Sequence, residues 1–105
     1  MKTRCTALTA VALALAASGA FAAGPEDAMN KAGCLACHTK DKKLVGPAFK
    51  DIAAKYKGQD VVAKLMEKVR KGGSGVYGPI PMAPNPPDKI NDADLKAAVE
   101  FILKG

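Results

Sequence analysis

The chain has no tryptophan, one histidine and only five other aromatic residues in 105. So little aromatic bulk makes a thin core. A single histidine excludes centres that need several imidazoles, and with no further Cys or His beyond residue 38 a four-ligand zinc site has no ligands to draw on. Cysteine is scarce as well, with three in all. Cys5 falls in a leader-like stretch, which leaves Cys34 and Cys37 and no disulfide framework. The one sustained apolar run, Ala7 to Ala17, is eleven residues long. That is too short to cross a hydrocarbon layer of about 30 Å as a helix, so no membrane anchor is expected. Strand-like alternation is missing throughout, and no segment repeats.

What precedes and follows the apolar run gives it a meaning. Lys2 and Arg4 stand before it and Ala20-Phe21-Ala22 after it, the layout of a cleavable secretory leader over residues 1–22. The expected mature domain is then 23–105, exported and soluble. The leader carries two of the sixteen basic residues and none of the ten acidic ones, so the formal charge falls from +6 to +4 on its removal. The lysines (Lys31, Lys40, Lys42, Lys43, Lys50, Lys55, Lys57) are spread without interleaved aromatics, so nucleic-acid binding is not expected. They read as a solvated surface, or as a field that steers an acidic partner. A domain this small, with Phe49, Tyr56, Tyr77 and Phe101 as its only mature aromatics, would gain from a large buried cofactor.

Cys34-Leu35-Ala36-Cys37-His38 names that cofactor, because Cys-x-x-Cys-His is the pattern for covalent haem attachment. On a helical turn Cys34 and Cys37 share a face, so both sulfurs can form thioethers with one porphyrin edge. His38 shares that face with Cys34 and can ligate the iron from the same side. A thioredoxin-like redox disulfide would need a βαβ setting that this sequence does not offer.

Along the chain, Pro25-Glu26-Asp27 opens a helix that runs to about Gly33. Gly33 lets the chain turn into the motif, or lets another helix cross closely. Gly46-Pro47 breaks the lysine-rich stretch that follows. Phe49, Ile52, Ala53 and Tyr56 then fall on one helical face, ended by Gly58. A third helix is expected after Asp60 as N-cap, with Val61 or Val62, Leu65 and Val69 inward, stopping at Gly72. From Gly72 to about Lys89 no period fits, and five of the seven prolines lie here, so this is an extended, stiff strap. Asn91, with Asp94 three residues on, caps a last amphipathic helix through Leu95, Ala98, Val99 and Ile102. Four helices and no strand make a small all-α domain.

With His38 on one side of the iron, the opposite position decides between carrying electrons and doing chemistry. Met29, Met66, Met82, a lysine or water are the candidates. Met29 precedes the motif on the same helix, and Met66 reads as core packing. Met82 lies on the strap with enough chain to wrap round the haem edge, and is the expected ligand. A closed His/Met iron suits an electron carrier and not an enzyme.

With these residues placed, the chain resembles the small bacterial class I cytochromes c, of the cytochrome c-551 type. Gly33-Cys34-Leu35-Ala36-Cys37-His38, Val45-Gly46-Pro47-Ala48 and Gly75-Val76-Tyr77-Gly78-Pro79-Ile80-Pro81-Met82 carry the resemblance. It implies one covalent haem c, a periplasmic monomer, and respiratory redox partners such as a terminal reductase or oxidase. It implies that the Pro47 carbonyl accepts the His38 Nδ1 proton. It also implies Asn85 as a donor near the Met82 sulfur, with Tyr77 and Lys68 where relatives place a tryptophan and an arginine for the haem propionates. Phe101 matches an aromatic at the crossing of the terminal helices near Gly33, and Met29 replaces an aromatic of the first helix. The rival readings are a haem enzyme or gas-binding protein with an open or labile sixth position, and a structural protein without haem.

Overall fold

The structure is a computed structural model and describes residues 24–105. The expected leader, 1–22, lies outside the described residues. Four α-helices and one 3-10 turn follow in order: α1 Pro25–Ala32, the turn Cys34–Ala36, α2 Phe49–Lys55, α3 Val62–Lys71 and α4 Asp92–Leu103. No strand occurs among the described residues, which agrees with the all-α expectation.

Each boundary has a local cause. Proline stands at the start of α1 with Glu26 and Asp27 in its first turn, where their charge offsets the exposed amides. Gly33 ends α1 in the left-handed region (φ 86°), donating to the Asn30 and Met29 carbonyls. A Cβ there would meet nothing within 4 Å, so Gly33 serves the turn and not a close helix crossing. At α4 the Asn91 Oδ1 accepts the Asp94 amide at 2.8 Å, and Asn91 Nδ2 donates to Asp94 Oδ2 at 3.1 Å. The expected cap at Asp60 is displaced: Val61 holds the cap position of α3, with no side-chain bond. Val61 is buried, so its burial outweighs the capping preference of the exposed Asp60.

Helix α4 is the hub, packing against α1, α2 and α3. The core joins Ala28 and Met29 of α1, Phe49 of α2 and Leu95, Ala98 and Val99 of α4, with Ile90 just before α4. Phe101, Met66, Leu65 and Val69 pack against this cluster while partly exposed. Met29 is 1 % exposed, so it fills its place on α1 completely.

Between α3 and α4 the strap is irregular except at one neck. Gly73 and Met82 exchange two backbone hydrogen bonds of 2.9 Å, an isolated antiparallel bridge that closes the loop between them. Within it the Gly75 amide donates to the Gly78 carbonyl at 2.9 Å. Prolines cannot donate, so the strap's backbone donors are confined to its other residues, while the Pro86 carbonyl accepts from the Lys89 amide at 2.9 Å.

Candidate haem site

The motif forms the helical turn its spacing predicts. The His38 and Cys37 amides both donate to the Cys34 carbonyl, at 3.0 and 3.2 Å. The chain then loops out and returns, and the Gly46 amide donates to the Cys37 carbonyl at 2.8 Å. That return brings Pro47 to His38, whose Nδ1 donates to the Pro47 carbonyl at 2.7 Å. With Nδ1 so engaged, Nε2 is the nitrogen left for a metal.

Two further contacts hold the imidazole, and sequence reasoning anticipated neither. Phe49, read only as core, stacks on the His38 ring with centroids 5.6 Å apart and planes 19° from parallel. Gly46 lies so close that a Cβ would stand 2.5 Å from the His38 Cε1. Helical spacing marks Phe49 as inward-facing but cannot tell which inward neighbour it meets.

These residues line a cavity of about 300 Å³ whose wall is mostly apolar. Cys34, Cys37, His38 and Pro47 come from the motif side, Leu65, Lys68 and Val69 from α3, and Tyr77, Ile80 and Met82 from the strap. Met29 also lines it from the core, whereas Met66 does not. The structure therefore gathers Cys34, Cys37, His38, Pro47, Tyr77 and Met82 around one space, with Lys68 beside them. Asn85 is apart from them. It is 8 % exposed, and its Nδ2 donates to the carbonyls of Ala83 (3.0 Å) and Val69 (3.3 Å), so its protons go to backbone oxygens.

At the mouth, Tyr77 is 42 % exposed. The Lys55 ammonium lies 5.9 Å from the centroids of both the Tyr56 and Tyr77 rings, within reach of a cation–π attraction. Partial burial pushes the Tyr77 phenol up from its ordinary value, with smaller pushes from Tyr56 and Asp51. Burial likewise pushes the Cys34 thiol up, against a lowering from a backbone hydrogen bond. A raised thiol pKa is the reverse of what a redox disulfide needs, since such sites depress it to make thiolate. Cys34 and Cys37 are both free.

The donor set fits haem c better than a bare ion. Among the described residues no group of three or more His, Cys, Asp or Glu side chains could hold a metal by itself. Two free thiols, an imidazole with one nitrogen committed and a thioether instead surround an apolar space.

The comparisons with known proteins agree. The cytochrome c family model matches residues 22–105. The chain is 49 % identical over 83 residues to cytochrome c2 of Rubrivivax gelatinosus, covering 78 % of this chain and 98 % of that protein. It is 43 % identical over 90 residues to cytochrome c-551 of Pseudomonas aeruginosa, covering 85 % and 84 %. Among solved structures it is similar to wild-type cytochrome c552 of Nitrosomonas europaea, with a TM-score of 0.68 and 48 % identity over 75 % of this chain and 96 % of that one. A covalently held haem c, matched to Cys34 and Cys37, and electron transfer in place of catalysis follow from that kinship: the chain belongs to the cytochrome c family.

Proposed function

We propose that this chain is a soluble periplasmic shuttle that moves one electron at a time, with His38 and Met82 as the two axial ligands of its haem. In this reading residues 1–22 are the cleaved leader and 23–105 the working domain. The observation that carries it is the shared lining: His38, oriented by Pro47, and Met82, on its strap, both line the apolar cavity that Cys34 and Cys37 also line.

When bound, the haem supplies a one-electron ferric/ferrous couple. The chain's part is to hold it. Pro47 fixes the imidazole's tautomer and tilt, and Phe49 and Gly46 leave the ring little room to turn. The Met82 thioether, neutral and soft, favours the reduced state relative to a second imidazole. With His38 and Met82 both holding the iron, neither side chain would have to move when the iron's charge changes. The apolar wall would face the macrocycle, and Tyr77 and Lys68, both on the lining, would be the side chains to meet its propionates.

Electrons would pass at the mouth, where Val45, Val76, Tyr77 and Ile80 are exposed. Exposed Lys40, Lys42, Lys43 and Lys50 lie along the neighbouring chain, a basic field suited to an acidic redox partner such as a respiratory donor or a terminal reductase or oxidase. No helix among the described residues is long and apolar enough to cross a membrane.

The test is the oxidised holoprotein's methionine-to-ferric-iron charge-transfer band. Met82→Ala should abolish it and open the iron to cyanide. Persistence of the band in that variant, or fast and tight cyanide or carbon monoxide binding by the wild type, would replace this reading with a gas-binding or catalytic haem protein.

A further inference from the structure

Arg70, on the last turn of α3, does not line the haem cavity and has no part in the account above. Yet among the described residues its side chain makes the most hydrogen bonds to separate segments. Its Nη1 donates to the carbonyls of Asn85 (3.0 Å) and Ile90 (2.7 Å), and its Nη2 to Asp92 Oδ1 at 2.6 Å. One side chain thereby ties α3 to the end of the strap and to the start of α4.

What it grips is the arm that carries Met82. Asn85 is the one buried polar residue among the described residues, and its backbone amide donates to the Val69 carbonyl at 3.1 Å. Arg70 takes the carbonyl of the same residue, so the peptide units on both sides of the Asn85 Cα are held by adjacent residues of α3. At the other end Met82 is held by its two bonds to Gly73. Between these anchors lie only Ala83 and Pro84. Proline restricts the backbone of this short span further. With both ends fixed, Met82 has little freedom to swing.

We propose that Arg70 is a positioning residue for the Met82 ligand: it locks Asn85 to α3 and thereby keeps the thioether arm from opening. The proposal rests on the reading of Met82 as axial ligand. Only a guanidinium suits the task, because its planar fork can serve three acceptors on separate segments at once, which one lysine ammonium on a flexible stem does poorly. The two carbonyls are the working contacts. Asp92 is 84 % exposed in its side chain, so the ion pair itself contributes little.

The experiment compares Arg70→Lys, Arg70→Ala and Asp92→Ala as ferric holoproteins at neutral pH, all verified as folded by far-ultraviolet circular dichroism. Cyanide must wait for the methionine to leave, so its binding rate reports arm opening. Arg70→Ala should raise that rate on the order of tenfold or more, the factor that losing a charge-assisted hydrogen bond or two corresponds to. Arg70→Lys should fall between, and Asp92→Ala should match the wild type. If Arg70→Ala does not fold, Arg70→Lys carries the test.

A second readout does not depend on the iron. Amide hydrogen exchange at Gly73, Met82 and Asn85 should speed up in the Arg70 variants while the amides of α1 keep their protection. A merely structural arginine would lower the melting temperature and leave the cyanide rate and these amides as they are, which would overturn the proposal. Failure of the ligand reading is distinguishable: the charge-transfer band would survive Met82→Ala, whatever the Arg70 variants do.

Discussion

Alanine at position 46 is the sharpest perturbation available at the histidine side, because it adds one methyl group against the His38 ring, the proposed ligand. A Cβ there would stand 2.5 Å from Cε1, 2.9 Å from Nδ1 and 3.0 Å from Nε2 of His38. Carbon atoms in contact sit about 3.5–4.0 Å apart, so the ring or the backbone must yield by about 1 Å. The imidazole cannot step aside freely, being bonded to the Pro47 carbonyl at 2.7 Å and stacked on buried Phe49. Overpacking of this kind costs about 1–3 kcal/mol, and weakening the bond to Pro47 adds up to about 1 kcal/mol. A loss of about 2–3 kcal/mol in a domain of this size lowers the melting temperature by roughly 10–20 °C. Gly33→Ala is the control. Its Cβ meets no atom within 4 Å, but its φ of 86° makes the alanine strained at a cost of about 1–2 kcal/mol. Thermal unfolding followed by circular dichroism, with the ferric haem spectrum recorded alongside, separates the two. Gly46→Ala should lose more stability and shift the spectrum, whereas Gly33→Ala should lose stability alone. A Gly46→Ala protein as stable as Gly33→Ala, with an unaltered spectrum, would refute the claim that the return loop clamps the histidine.

Two further outcomes are expected. Asn91→Ala should cost about 1 kcal/mol through loss of the α4 cap, while Asn91→Ser, which keeps an acceptor for the Asp94 amide, should lose only a few tenths of that, measured by guanidinium unfolding; equal losses in both would mean the cap bond at 2.8 Å does nothing. For Tyr77, burial is the main push that raises the phenol pKa above its free value of about 10. The folded protein therefore binds that proton more tightly than the unfolded chain. Its contribution to stability is full below the unfolded pKa and is lost as pH rises through the folded one. Ultraviolet titration of phenolate, read as wild type minus Tyr77→Phe, should give a midpoint above that of a free phenol; a midpoint at or below it would contradict the burial.

How legible these features were depended on how far apart in the chain the contacting residues lie. The motif turn, the cap of Asn91 on Asp94 and the end of α1 at Gly33 are contacts within a few residues, where residue type and spacing state the geometry almost directly. The cap of α3 was misplaced by one residue because the burial of Val61, a tertiary fact, overrode the local preference of Asp60. Phe49 against His38 and Lys55 beside the Tyr77 ring were out of reach because the return of a loop or of the strap, and not local spacing, brings them together. Periodicity says that a side chain points inward, and nothing about whom it meets.

The two residues proposed as axial ligands differ in the same way. His38 is held by neighbours close in sequence, Gly46, Pro47 and Phe49, so its surroundings travel with the motif. Met82 is held by Gly73 across the neck and, through Asn85, by Val69 and Arg70 on α3, so its surroundings exist only when the strap is folded back on that helix. Five prolines in the strap leave few amides to share the task. The restraint is therefore concentrated in a handful of bonds at Gly73, Met82 and Asn85. Concentration makes the methionine side the more easily released of the two, since loss of one guanidinium leaves two carbonyls without donors at once. In the proposed ligation a carrier would gain from that division: the histidine and thioethers would keep the cofactor attached, and the long-range clamp would decide whether the sixth position stays closed.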